Sequence, residues 1–371
     1  MNLIKSKVSL LLTVVFFTLL SFSITAQPPT GYYNSADGLK GQPLQQALHN
    51  IIKGHNSRSY AQLWTDFQST DKKSNGKVWD MYSDVPGGSP AYEFTFGSDQ
   101  CGNYGGEGDC YNREHSWPKS WFNDAAPMYT DLFHLVPTDG YVNGRRSNYP
   151  FGEVGTATWT STNGSKVGPC NFPGYSGVVF EPIDAYKGDF ARNYMYMATR
   201  YSDIIAGWEN NDSNGDAVMN GTSYPAFETW FVNLLLTWNA ADPVSAKEIA
   251  RNNAVYNLQD NRNPYIDHPE YAVYVWDPNV GIEDVYLNKA KLQVWPMPVS
   301  NQLNFTIENY NTTATLEMQI MDVAGRVLLL NQFESGQVIT VNDIDKLSAG
   351  FYVLKVSENG NTIATSKLLK N

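Results

Sequence analysis

The chain has 371 residues, 42% of them apolar and 17% charged, the composition of a globular protein rather than a disordered or fibrous one. At about 100–200 residues per domain it has room for more than one unit. Its net charge of −11 argues mildly against a polyanionic partner, since nucleic-acid binders usually carry a basic footprint. Local charge, or a bound divalent cation, can override that total.

Lys5 and Lys7 precede an apolar run from Val8 to Leu20, and Ser21 to Ala26 leads into Gln27. A basic start, a short apolar core and a small residue before the cut predict a secretory signal peptide over residues 1–26. The run is shorter than the roughly 20 residues of a spanning helix. The mature protein is expected to be soluble, monomeric and outside the cytoplasm. An oxidising compartment permits a Cys101–Cys110 bridge around a Gly-rich loop, leaving Cys170 over; other pairings also fit the sequence.

Leu44, Leu48, Ile51 and Ile52 recur with helical spacing, as do Tyr60, Leu63 and Phe67, which predicts two core-facing helices. Residues 76–111 are Gly-rich and predict loops with short strands. Phe190, Tyr194, Met197 and Tyr201 predict a further helix, and residues 226–238 another. Ser245 and Glu248, after Asp242-Pro243, have capping-box spacing and predict a helix start. Residues 261–269 read as a Pro-broken loop. From Leu292 onward, β-prone runs at 303–307, 316–321, 327–330, 350–356 and 362–369 are separated by turns. That pattern predicts a small all-β sandwich of about 80 residues.

Two segments concentrate chemistry. Asn112-Arg113-Glu114-His115-Ser116-Trp117-Pro118-Lys119-Ser120 is followed by Asp131 to Asn148, which contains His134, Asn143, Arg145 and Arg146. A neutral imidazole can take a proton from water near neutral pH. Oxygen ligands from Glu and Asn suit Mg²⁺, Mn²⁺ or Ca²⁺ rather than Zn²⁺. Arginine can pair with phosphate oxygens and with transition-state charge. Phosphodiester hydrolysis needs groups of these kinds.

This block resembles the endonuclease I family of secreted and periplasmic bacterial nucleases, a branch of the ββα-metal (His-Me finger) group. The similarity runs from Tyr32 to Tyr271 and includes Lys77 to Tyr82, Glu114-His115, Asn143 to Gly152 and Asn261 to Glu270. The resemblance implies His115 as general base, Glu114 and Asn143 as protein ligands of one divalent metal, and products with a 5′-phosphate. It places Asn143 on the finger helix. Adjacent strand residues point to opposite sides, so Glu114 and His115 are expected where a strand ends and bends. Arg145 and Arg146 are candidate phosphate or transition-state contacts. Which arginine fills that role is open, because the loop between Trp121 and Met128 is short for the family.

Blander readings compete. Taken alone, Glu114-His115 could be a solvated pair in a loop; the surrounding similarity favours the catalytic reading. His134 reads as structural, hydrogen-bonded to a backbone carbonyl, and Asn148 as a turn residue. His49, His55 and His268 read as core or surface histidines. Asp212 to Asp216 has the oxygen spacing of a calcium loop but lacks the glutamate at the twelfth position, where Ser223 stands; a solvated turn is expected.

Val294 to Val299, Ile320 to Arg326, Leu347 to Val353 and the closing Lys367-Leu368-Leu369-Lys370 resemble the type IX secretion sorting domain, which implies passage across an outer membrane. The expected protein is α+β: signal peptide 1–26, a mixed α/β nuclease domain 27–289 containing a ββα-metal finger, and a β-sandwich sorting domain 290–371. Its expected activity is secreted, Mg²⁺-dependent (Mn²⁺ or Ca²⁺ as substitutes) cleavage of DNA and also RNA with little sequence specificity. Its expected partners are nucleic acid and the type IX machinery. The competing class is a surface module that binds nucleic acid or glycan without cleaving it. Glu114, His115 and Asn143 together argue against that class, because binding alone needs no base.

Overall fold

The structure is a computed structural model that describes residues 28–277, 291–308, 315–322, 326–334, 338–358 and 361–371. The expected signal peptide and the boundary near residue 290 lie outside the described residues. Within them the chain is α+β, and no described helix is long and apolar enough to cross a membrane.

Helix α1 (Gly41–Ile52) buries Leu44, Leu48 and Ile52, an apolar stripe at every fourth position. Helix α2 (Leu63–Thr70) buries Leu63 and Phe67. Tyr60, expected on its first turn, precedes the helix. Among the described residues no strand precedes β1 (Tyr111–His115), so the Gly-rich stretch is a run of loops held by isolated bridges such as Lys72↔Val78. Strand β1 pairs antiparallel with β2 (Leu135–Asp139), Glu114 opposite Val136 and His115 opposite Leu135. Helix α3 (Gly140–Arg146) follows β2 directly. Then β3 (Trp159–Thr160), β4 (Lys166–Pro169) and β5 (Val178–Glu181) form a small antiparallel sheet in that order.

Helix α4 (Lys187–Arg200) is the centre of the core. Its apolar periodicity predicts one buried face, yet all its residues are buried. Its charged positions are correspondingly paired: Arg192 donates Nη2 to Glu248 at 2.9 Å, and Lys187 donates to Glu153 and Glu181. Buried charges persist only when paired in this way. The single turn α5 (Ser213–Asp216) is followed by α6 (Thr229–Ala241), which packs on α4 through residues such as Leu234 and Trp238. α6 begins three residues later than its pattern suggests, because Phe227 bridges Met219 and Asn220 bonds Ala226.

The capping box at Ser245 and Glu248 forms and starts α7 (Ala246–Gln259). The expected Pro-broken loop contains one helical turn, α8 (Pro264–Asp267), capped by Asn263 with Pro264 at its first position. Helix α9 (Tyr271–Trp276) closes this unit.

The remaining strands are β6 (Lys291–Trp295), β7 (Leu303–Glu308), β8 (Thr315–Asp322), β9 (Val327–Glu334), β10 (Ile339–Val341), β11 (Gly350–Glu358) and β12 (Asn361–Lys370). They form two antiparallel sheets, ordered β10-β7-β6 and β12-β11-β8-β9. Leu303, Phe305 and Val341 of the first share one apolar cluster with Met318, Ile320, Leu354 and Val356 of the second. That cluster is distinct from the one built around α4.

Candidate active site

The hairpin of β1 and β2 and the helix α3 are locked together by Asp139 and Asp80. Asp139 caps α3, accepting from the Val142 amide at 2.8 Å, and its other oxygen accepts from Gly108 at 2.8 Å. Asp80 accepts from the Asp139 amide at 2.8 Å. Cys101 and Cys110 are bridged, and Cys170 is free and buried. Tyr104 of the bridged loop lies on α3: a Cβ at Gly140 would fall 2.6 Å from its ring, and one at Gly144 2.7 Å from its hydroxyl. Small residues at those two positions are what let the loop seat there.

Helical spacing puts Asn143 and Arg146 on one side of α3, and Ser147 follows its last turn. They line a cavity of about 350 Å³ together with Tyr60, Arg113, Glu114, His115, Lys119 and Asn148. Glu114 and His115 both reach it because His115 is the last residue of β1. A larger groove of about 870 Å³ lies around Lys73, Asp84 and Glu93. It holds no imidazole, and Lys73 is paired with both carboxylates, so the smaller cavity is the one equipped for chemistry.

His115 is held in a single tautomer. Its Nε2 lies 3.1 Å from the Tyr129 carbonyl, an acceptor only, so Nε2 carries the proton and Nδ1 the lone pair. Nδ1 has no hydrogen bond among the described residues and is not sealed from solvent. Tyr60, Phe122, Tyr129 and His134 surround the ring. Burial, helped by the neighbouring His134, Lys119 and Arg113, pushes the imidazole down to about 3. It is therefore neutral at ordinary pH.

Glu114 is 2% exposed. Tyr82 donates to its Oε1 at 2.9 Å, and Arg146 Nη1 lies 3.2 Å from the same oxygen. Burial pushes the carboxyl up to about 7 although Arg146 and Tyr82 pull the other way. Oε2 has no side-chain partner, and the Asn143 carboxamide has no hydrogen bond, among the described residues. Two hard oxygen donors at one cavity fit Mg²⁺, which keeps several of its own waters. Among the described residues no cluster of three or more His, Cys, Asp or Glu offers a cage, so any cation would rest on the Glu–Asn pair.

The two arginines part company. Arg146 is buried, donating to the His115 carbonyl at 3.1 Å and the Ser116 carbonyl at 2.5 Å; it ties the end of β1 to α3. Arg145 projects from the opposite side of the helix, 5.2 Å from the Trp159 ring centroid, into a separate cavity with Tyr149 and Thr158. His134 is buried with Nε2 2.7 Å from the Met128 carbonyl, as a structural histidine should be. Asn148 is held by Asp212 and Asn214 at 2.6 and 2.9 Å. Asp212 also caps α5, and Asp216 accepts from Asn210; these carboxylates serve turns and do not converge as a calcium loop would.

Tyr82, Tyr129, Tyr60, Arg113 and Lys119 had no assigned role in the sequence. Tyr82 lies in the Lys77 to Tyr82 stretch that carries the family resemblance, which was the available signal. Arg113 and Lys119 lie in the Asn112 to Ser120 segment, while Tyr60 and Tyr129 reach the site only through the fold.

Residues 40–270 match the family model Endonuclease I, and residues 293–371 match the secretion system C-terminal sorting domain. The chain belongs to the endonuclease I family. It is 38% identical over 254 residues to a protein named extracellular ribonuclease of Bacillus amyloliquefaciens, covering 66% of this chain and 78% of the relative. A second extracellular ribonuclease, from Bacillus subtilis (strain 168), is 36% identical over 271 residues, covering 70% of this chain and 84% of the relative. An extracellular deoxyribonuclease of Aeromonas hydrophila is 27% identical over 180 residues, covering 48% and 63%. This endonuclease I family member is thus a nuclease with a type IX sorting tail, exported to the cell surface or beyond.

Proposed function

We propose that this nuclease is a metal-dependent endonuclease acting on both RNA and DNA with little sequence specificity, through a ββα-metal finger formed by β1, β2 and α3. The observation that carries the reading is the shared cavity of Glu114, His115 and Asn143, with His115 fixed in the tautomer that leaves Nδ1 basic. The higher identity to the two ribonucleases than to the deoxyribonuclease supports RNA as a substrate beside DNA.

Glu114 and Asn143 would hold one divalent cation, Mg²⁺ by preference, which when bound would neutralise charge on the scissile phosphate and the leaving oxygen. His115 Nδ1 takes a proton from water as the water oxygen bonds to phosphorus. The bond from phosphorus to the 3′ oxygen breaks, and that oxygen takes a proton from solvent, leaving a 5′-phosphate and a 3′-hydroxyl. His115 then returns its proton to solvent. Tyr129 holds the ring in place, Tyr82 and Arg146 hold Glu114, and Arg145 contacts phosphates away from the scissile bond.

The two separate apolar clusters support a catalytic domain over 27–289 and a β-sandwich tail over 290–371, behind a signal peptide over 1–26. Plasmid nicking tests the activity: Mg²⁺ should support it, and EDTA or His115→Ala should abolish it. Binding of nucleic acid without cleavage would mark the chain as a binding module instead.

A further inference from the structure

Hydrolysis of a phosphodiester builds negative charge on the phosphate oxygens, and a positioned cation lowers that barrier. Neither arginine of α3 is free to supply it. Arg146 is buried, with Nη1 and Nη2 spent on the His115 and Ser116 carbonyls. Arg145 lines a different cavity. Arg113 does border the site, but its guanidinium lies 3.6 Å from the Tyr60 ring centroid and 4.3 Å from that of Trp64, and it donates to the Tyr60 carbonyl at 2.9 Å. Those two rings and that bond hold it at the wall.

Lys119 is different. It opens the 3₁₀ turn Lys119–Phe122, four residues after His115, and lines the same cavity as Glu114, His115 and Asn143. Its side chain is 50% exposed, and its partner Asp124, 2.5 Å away, is 51% exposed. A pair this wet is loosely held and exchanges readily for another anion. The same ammonium is near enough to His115 to help keep the ring neutral.

We propose that Lys119 leaves Asp124 when substrate enters and donates to a non-bridging oxygen of the scissile phosphate, as the catalytic cation of this site. Lys119 stays protonated throughout and forms no covalent bond. The assignment rests on the nuclease mechanism above.

The test uses the full exported chain with Mg²⁺ and an RNA and a DNA oligonucleotide of defined length. kcat and KM are measured for the wild type, Lys119→Ala and Lys119→Arg, and the affinity for the same strands is measured in EDTA. Lys119→Ala should lower kcat by about 10²-fold, the size of loss seen when one transition-state donor is removed. KM and affinity in EDTA should move only about threefold or less, because the contact strengthens with developing charge. Lys119→Arg should restore most of the rate. A Lys119→Ala enzyme with unchanged kcat, whether or not KM rises, overturns the catalytic role while the nuclease reading stands. A wild type that cleaves neither strand overturns both.

Discussion

Removing Arg146 should cost more than any other single change at the site, and chiefly in stability. The guanidinium is about 1% exposed, lies 3.2 Å from Glu114 Oε1, and donates to the His115 and Ser116 carbonyls and to the Tyr194 hydroxyl at 3.3 Å. Arg146→Met keeps much of the volume but takes the guanidinium from the buried Glu114 carboxyl, which keeps only Tyr82, from the Ser116 carbonyl, which keeps Tyr194, and from the His115 carbonyl. Breaking a buried pair from one side costs about 3–5 kcal/mol. That is a large part of the roughly 5–15 kcal/mol that holds a folded protein together. Urea unfolding of the full chain in EDTA, which keeps cations out of the comparison, reads the loss directly. Glu114→Gln in the same background should recover part of it, since a neutral amide no longer needs the guanidinium. A loss below about 1 kcal/mol, in the range of an exposed pair, would refute the role assigned to Arg146.

Other outcomes follow from other parts of the molecule. Arg145→Ala should raise KM and reduce the slope of log KM against log salt by about one, the signature of a lost phosphate contact; an unchanged slope counts against that contact. Ser245→Ala removes the acceptor of the α7 capping box and should cost about 1 kcal/mol in urea unfolding. Asp131 is fully buried, which alone would raise its pKa; nearby His55 and His134 and hydrogen bonds from Gln259 and the Phe133 amide outweigh that and hold it at about 2. Its folded value lies below the unfolded value of about 3.9, so it stabilises the fold above that pH, by on the order of 2 kcal/mol. That contribution is lost as pH falls through 2. The stability gap between wild type and Asp131→Asn should therefore be full at pH about 5 and narrow steadily below about 4; a gap that widens in acid contradicts the assignment.

The elements that could be read in advance are those fixed by local chemistry. The apolar stripe of α1 and the Ser245–Glu248 box need only nearest neighbours along a helix. The alternating runs after Leu292 become strands because period two is written residue by residue. What escaped depends on partners far away in the chain. α4 is buried on every side because Glu153, Glu181 and Glu248 neutralise its Lys187 and Arg192 and Lys247 neutralises its Asp189, and no periodicity within residues 187–200 could announce that. Tyr60 has helical spacing with Leu63 and Phe67, but Arg113 and Tyr129 capture its ring ahead of the helix. At the site, Glu114, His115 and Asn143 were recognisable by resemblance. The separation of Arg145 from Arg146 needed the orientation of α3 against β1. The expected turn at Asp212 to Asp216 forms, with Asp212 accepting from Asn148 and Asn214 and Asp216 from Asn210.

The proposed chemistry requires Glu114 and Asn143 to grip one cation beside the imidazole. Binding of Mn²⁺ to the full chain, followed by electron paramagnetic resonance, addresses it without relying on turnover. One site per chain is expected, lost or greatly weakened in both Glu114→Gln and Asn143→Ala and kept in His115→Ala. Undiminished Mn²⁺ binding in either of the first two variants would contradict it.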